Sequence, residues 1–305
     1  MQLQKLLPMN ASESQINIAL IQPRISEHPD RNQDHCVDLI LNAADQGANI
    51  VCLPELYRTH YFCRIESFHR FDLAVPLDHP SLMQMGTLAS RLGIVLIVPF
   101  FERVAPGLYY NSALIFDANG GVAGHYRKTH IPDDPGYYEK YYFAPGDLDI
   151  RAFDTAFGRI AVLICWDQWF PETARLAALD GAEILFYPTA IGWHPAEKER
   201  YGQVQRDAWM TVQRGHAVAN ACYVAAANRV GFEQSVGDPA GIEFWGTSFV
   251  SGPQGQILGC AVDTEEAVLC VAVDRNEIET VRRNWPFLRD RRVDLYGGLT
   301  RRWLR

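Results

Sequence analysis

The sequence predicts strands and helices in alternation, an order that permits two packed β-sheets covered by helices. Three observations lead to that class. Short apolar runs of strand character recur along the chain, and segments with helical spacing of apolar residues fill the gaps between them. The 305 residues, 48% of them hydrophobic, supply a large core, and no linker-like stretch divides them, so a single domain over residues 1–305 is expected.

In chain order the expected strands are Ile16 to Ile21, Ile50 to Leu53, Ile94 to Phe101, Ser112 to Phe116, Val122 to Tyr126, Arg159 to Ile164, Ile184 to Tyr187, Tyr223 to Ala227, Thr247 to Val250 and Val268 to Val273. The clearest helices between them are Asn32 to Gln46, Leu82 to Leu92, Glu172 to Leu179 ended by Gly181, Val204 to Asn220, and Arg275 to Arg283. Internal repeats and low-complexity runs are absent. The core is expected over about residues 15–283, leaving 284–305 as a carboxyl-terminal segment.

Three segments carry chemistry. Ile160 to Ile164 is apolar and uncharged, so Cys165 falls at the carboxyl end of a buried strand, and Pro171 suits the first turn of the next helix. A thiol so placed can be activated, because helix amides and a cationic neighbour favour the thiolate that attacks carbonyl carbon; a cysteine taken alone more often packs as a small hydrophobe. Ile50-Val51-Cys52-Leu53-Pro54-Glu55 ends a strand in a carboxylate fit to serve as general base. His125-Tyr126-Arg127-Lys128-Thr129-His130-Ile131-Pro132 sets a lysine after a strand, where it can stabilise an oxyanion. Singly, Glu55 and Lys128 would be read as solvated surface charges. Their order, Glu then Lys then Cys, changes that reading.

On these three signatures the chain resembles the carbon–nitrogen hydrolase (nitrilase) superfamily. Within it the likeness is to the N-carbamoylputrescine amidases, through Tyr61-Phe62-Cys63, the run from Lys128 to Phe143, Cys165 to Glu172, and Gly181 to Gly192. It spans nearly the whole chain, from Ile16 to Tyr296. The resemblance implies an α+β fold, a four-layer αββα sandwich. It implies Cys165 as nucleophile, Glu55 as general base and later acid, Lys128 as oxyanion stabiliser with the Trp166 N–H, and Glu139 as a second carboxylate orienting the lysine. Tyr61, Tyr137 and Trp166 match residues lining the substrate pocket, whereas Tyr141, Tyr142 and Phe143 read as packing.

The implied reaction is hydrolysis of N-carbamoylputrescine to putrescine, ammonia and carbon dioxide, in polyamine biosynthesis. Such a substrate carries a cationic amine about four methylenes from its ureido group, and Asp133, on a Pro-Gly-rich loop, is the candidate acid for that end; a turn-starting role before Pro135-Gly136 is its equal alternative. Asp134 stands where many relatives have glycine. Arg58, if it faced the pocket, would instead suit a carboxylate, as in a β-ureidopropionase or a D-carbamoylase. Other amides and nitriles remain open, because the same residues serve them. An inactive binding or filament-forming subunit is the alternative from another class, and an intact set of Glu55, Lys128, Cys165 and Glu139 weighs against it. Asn220, Asn228 and His216 are polar candidates near the pocket rim, with helix-face or turn roles as their alternative.

No cofactor is expected. The nine histidines and seven cysteines form no C-x-x-C or H-E-x-x-H pattern for a metal, and no glycine-rich nucleotide motif is present. The net charge of −8 argues against a nucleic-acid partner and mildly favours a cationic substrate. No apolar stretch reaches membrane-helix length, and Met1 to Ser14 does not read as a signal peptide, since its Leu-Leu-Pro is followed by polar residues. An odd number of irregularly spaced cysteines fits a reducing compartment, so a cytoplasmic location is expected. The aromatic and arginine density of Trp285 to Tyr296 suits contact between subunits; a homo-oligomer built from dimers, up to an octamer, is what the resemblance implies. Thr300 to Arg305 is expected to be disordered.

Overall fold

A computed structural model of the chain describes residues 14–305, so the expectation about a signal peptide lies, save for Ser14, outside the described residues. One six-stranded sheet runs in the order β15 (Ala267–Asp274), β1 (Gln15–Gln22), β2 (Ile50–Cys52), β3 (Val95–Ala105), β4 (Leu108–Phe116), β5 (Val122–Arg127). The other runs β14 (Ile257–Cys260), β13 (Phe249–Ser251), β10 (Tyr223–Ala227), β8 (Ile184–Pro188), β7 (Gly158–Val162), β6 (Phe153–Thr155). Each has three neighbouring parallel strands, β1, β2 and β3 or β7, β8 and β10, flanked by antiparallel ones.

Side-chain alternation sets the layers. In β1, Ile16, Ile18 and Leu20 join a core shared with Ile160, Ile184 and Val224 of the second sheet. The intervening Ala19 and Ile21 face the other way, into a core built with Cys36 and Ile40 of helix α1 (Pro29–Asp45) and Leu82 and Met85 of helix α2 (Pro80–Leu92). The second sheet is covered by α4 (Pro195–Asn220), against which α3 (Pro171–Leu179) packs. Its strands β8 and β10 are buried along their whole length, which is why they read as continuous apolar runs. Each fully buried Ile, Leu or Val contributes about 1.5–3 kcal/mol. The layers are helix, sheet, sheet, helix, as the resemblance implied.

Ten strands and five helices were expected, and all are present, including the last helix, α5 (Arg275–Asn284). Several differ in extent, three of them for a visible reason. Helix α4 starts nine residues before Val204, because its first turns, Pro195 to Tyr201, are largely exposed and carry no apolar periodicity. Strand β4 begins at Leu108 rather than Ser112, since it is the return arm of a tight hairpin with β3. Strand β13 begins at Phe249 rather than Thr247, whose φ of 55° breaks the extended backbone. A third sheet, β11 (Val230–Glu233), β12 (Ile242–Trp245) and β9 (Gly192–Trp193), was not expected; its strands are two to four residues long, and β9 and β11 each contain a glycine.

After α5 the chain runs over the surface into a 3-10 turn, Val293–Thr300, with Leu295 and Leu299 exposed. Residues 301–305, expected to be disordered, are described, without regular secondary structure. No helix of the described residues is long and apolar enough to cross a membrane.

Candidate active site

The parallel strands end on one side of the double sheet, and the chemistry-bearing residues follow those ends. Glu55 comes three residues after β2, Lys128 directly after β5, Cys165 three after β7, Ala190 two after β8 and Asn228 directly after β10. Loops beyond the carboxyl ends of parallel strands are free of the ladder and open to ligands.

Glu55, Lys128 and Glu139 are fully buried. The Lys128 ammonium donates to Glu55 Oε1 at 2.8 Å and to Glu139 Oε2 at 2.6 Å. Asn111 Nδ2 also donates to Glu55 Oε1, at 2.7 Å, and the Tyr61 hydroxyl donates to Glu139 Oε1 at 2.6 Å. Glu55 Oε2 has no hydrogen-bond partner. An unpaired buried carboxylate oxygen is costly, and here it is the one free acceptor on the base. Arg127, next to Lys128 in sequence, is engaged elsewhere, with Glu102 and Asp147.

Cys165 opens a 3-10 turn, Cys165–Trp169, with φ of 42°. A cysteine in the left-handed region is strained, and a strain held this way must be over-determined by its surroundings. The carboxylate of Asp167 does that. Its Oδ2 accepts from Ile164 N at 3.0 Å and from the Tyr126 hydroxyl at 2.7 Å, and its Oδ1 accepts from His130 N at 2.9 Å with the His130 ring at 2.8 Å. The His130 ring is stacked on Phe170, 3.7 Å between centroids. Pro171 then begins α3 as expected.

Electrostatics revises one expectation. Burial pushes the Cys165 thiol well above its ordinary range and Glu55 adds to the rise; the pull of Lys128 does not offset them, and Glu139 adds further. Burial first, and then the excess of carboxylate over ammonium around it, favours the protonated thiol over the thiolate. Burial would lower Lys128, but Glu139 and Glu55 together hold it well above its usual value, so the ammonium stays charged. Burial raises Glu139 to about 7, Glu55 adds to that, and Lys128 and Tyr61 oppose it.

Above the sulfur lies a cavity of about 670 Å³, with Cys165 and Glu139 among its lining residues. Its walls are mainly apolar, from Tyr137, Trp166, Trp169, Ile191 and Trp245. Two further carboxylates, Asp134 and Glu197, line it at exposed positions; no lysine or arginine does among the described residues. Of the expected pocket residues, Tyr137 and Trp166 line the cavity. Tyr61 does not; it stands behind Glu139 as a hydrogen-bond donor. Asp133 is exposed and outside the lining, and its neighbour Asp134 occupies the wall instead, in the turn closed by Tyr137 N donating to the Asp134 carbonyl at 2.8 Å. Arg58 turns away, bonded to Asp30 at 3.0 Å beside a separate crevice with Leu73 and Phe100.

His216 and Asn220 have helix-face roles: His216 bonds the Gln168 carbonyl at 2.8 Å, and Asn220 donates to the His216 carbonyl at 2.9 Å. Asn228 does more. Its side chain both donates to the Ile191 carbonyl at 3.0 Å and accepts from Ile191 N at 3.1 Å, fixing that part of the cavity wall. Asn111, Asp167 and Glu197 were not singled out from sequence. Asn111 had a signal, a polar residue directly before the expected strand Ser112 to Phe116, and Asp167 lay inside the quoted cysteine motif. Glu197 had none, since it falls in the unforeseen start of α4. Among the described residues no group of His, Cys, Asp and Glu side chains could hold a metal ion.

The chain is similar to known proteins along most of its length. A family model described as carbon-nitrogen hydrolase matches residues 17–283. The chain is 48% identical to the N-carbamoylputrescine amidase of Arabidopsis thaliana, over 86% of this chain and 87% of that one. It is 39% identical to a citrullinase of Francisella tularensis, over 94% and 99%. A crystal structure of a carbon–nitrogen hydrolase from Helicobacter pylori superposes with a TM-score of 0.92 at 42% identity, covering 95% of this chain and all of the other.

Proposed function

Because the chain belongs to the carbon–nitrogen hydrolase family and is a hydrolase of C–N bonds other than peptide bonds, we propose that it cleaves the ureido group of a carbamoyl amine with a cationic far end, N-carbamoylputrescine. The observation that carries this is the charge of the cavity. It is lined by Cys165 and Glu139, its walls are mainly apolar, and among the described residues its other acidic lining side chains are Asp134 and Glu197, with no lysine or arginine. A tetramethylene chain suits the walls and an ammonium suits the two carboxylates.

The neutral thiol gives its proton to Glu55 Oε2 as the sulfur bonds to the ureido carbon. The carbonyl electrons move to oxygen, where the Lys128 ammonium and the Trp166 N–H, one of the donors that a helical turn leaves unpaired at its start, stabilise the oxyanion. Collapse breaks the bond to the terminal nitrogen, which leaves as ammonia with the proton from Glu55. Water then gives a proton to Glu55 and adds to the S-carbamoyl carbon. The thiol is expelled, and the released carbamic acid loses carbon dioxide to leave the amine. Glu139 keeps Lys128 charged throughout; Tyr137 and Trp166 flank the substrate, and Tyr61 steadies Glu139.

The test is ammonia release from N-carbamoylputrescine, citrulline and N-carbamoyl-β-alanine at equal concentration, with Cys165→Ala as blank. Selective turnover of the cationic compound is expected. Glu197→Gln should raise KM for it about tenfold with kcat nearly unchanged, as loss of a ground-state contact does. Preference for N-carbamoyl-β-alanine would overturn the reading, and so would preference for citrulline, whose carboxylate would have to lie beside two acids.

A further inference from the structure

The backbone from Glu55 to Tyr61 wraps around one guanidinium. Arg229 follows β10 and Asn228 and is fully buried. Its Nη2 donates to the Glu55 carbonyl at 2.6 Å and the Leu56 carbonyl at 2.9 Å, and its Nη1 to the Thr59 carbonyl at 2.9 Å. The remaining charge is met by Glu233, 4% exposed, whose Oε1 lies 3.0 Å from Nη1. Glu233 Oε2 in turn accepts from Tyr61 N at 2.7 Å. Leu56 has φ of 50°, so the strap is bent into a conformation that a leucine adopts only when its surroundings compel it. Three converging carbonyls repel one another without a cation among them, and only a planar fork of donors reaches all three and a carboxylate as well.

The strap ends are the two places that matter. Glu55 at one end bonds Lys128; Tyr61 at the other bonds Glu139, which bonds the same ammonium. Arg229 and Glu233 thus close a ring of contacts that passes through the whole Glu55, Lys128, Glu139 array, although neither is among the residues lining the cavity. We propose that Arg229 and Glu233 are positioning residues for C–N hydrolysis, setting the distances of both carboxylates from Lys128. The proposal rests on the roles given above to Glu55, Lys128 and Glu139, and not on the identity of the substrate.

Arg229→Lys keeps the charge opposite Glu233 but loses the fork, and is measured with whichever carbamoyl or amide substrate the unaltered enzyme turns over. The expected result is a kcat about 100-fold lower, the size of loss that follows from misplacing catalytic groups by about an ångström, with KM changed by no more than about threefold. The acid limb of the kcat–pH profile should move to higher pH, because a carboxylate drawn away from an ammonium binds its proton more readily. Glu233→Gln, which removes the charge and keeps the shape, should move the limb the same way with a smaller fall in kcat. It carries the test alone if Arg229→Lys does not fold by circular dichroism. An unshifted pH profile in a folded variant, or a kcat loss that only follows the fraction unfolded, would overturn the proposal. Full activity in Glu55→Gln would instead remove the roles on which it rests.

Discussion

The two oxygens of Glu55 are in different states: Oε1 is held by Lys128 and Asn111, and Oε2 is buried with no partner. Burial and these carboxylates favour the protonated Cys165 thiol, and in the mechanism proposed above its attack is coupled to proton transfer onto that free oxygen. Glu55→Gln should therefore lower kcat by about 10²–10⁴-fold, the usual range for loss of a general base. Intact-mass measurement after incubation with substrate should show no adduct on Cys165. An adduct formed at the normal rate would mean the sulfur needs no base. The four residues proposed as catalytic were legible because each follows an apolar strand or sits in a long motif, where a charged or reactive residue is conspicuous. The acid on the cavity wall was read one residue early, at Asp133 rather than Asp134. Which of two adjacent side chains faces a cavity is decided by the turn at Gly136, φ 79°, and spacing alone carries no trace of it. Arg229 and Glu233 were invisible for a related reason, since their distant partners are backbone groups about 170 residues away, carbonyls for Arg229 and the Tyr61 N–H for Glu233.

At the level of elements, what was legible is what obeys one period over many residues. The central strands and the helices under them do so because burial on one or both faces dictates every position. The third sheet does not: β9 is two residues long and owes its existence to β12, not to its own propensity. Gly192 shows how tight that pairing is. A Cβ there would stand 2.4 Å from the Glu243 carbonyl oxygen and 2.8 Å from Phe244 Cα, both backbone atoms of β12. The Gly192 carbonyl also accepts from the Tyr137 hydroxyl at 3.2 Å, tying the strand to the opposite wall of the cavity. Gly192→Ala is expected to destabilise the protein by about 1–3 kcal/mol, as overpacking does, and to raise KM more than it lowers kcat, because the wall moves while the Lys128 array does not. Denaturant melts and steady-state kinetics on the same preparation check both. A variant with KM unchanged would detach β9 from substrate binding.

The whole molecule presents an apolar surface at its carboxyl-terminal end and hides thiols in its interior. Leu295, Leu299, Trp303 and Leu304 are each at least two-thirds exposed, the tail lies against Glu172 at the start of α3, and α3 itself exposes Leu176 and Leu179. Continuous apolar exposure of this kind calls for a cover, and a second copy of the chain is the occupant expected. Sedimentation of the full chain should give a multiple of 34.4 kDa, and deletion of residues 293–305 should shift it to smaller species without loss of fold; a monomeric full chain would remove the idea. The interior makes a separate prediction about alkali. Burial pushes Cys36 and Cys222 from 9.0 to about 12. Unfolded, each loses its proton near pH 9; folded, each keeps it until about pH 12. Between those values the unfolded chain binds fewer protons than the native one, so stability falls as pH rises, by about 1.4 kcal/mol per unit for each thiol. Below pH 9 neither contributes a slope. The double variant Cys36→Ala, Cys222→Ala should therefore be less stable than the unaltered protein at pH 7 from lost packing, yet lose stability more slowly between pH 9 and 10.5. Other buried thiols and tyrosines keep the slope from vanishing. Guanidinium chloride melts at four pH values measure it, and parallel slopes for the two proteins would show that these thiols ionise as readily folded as unfolded.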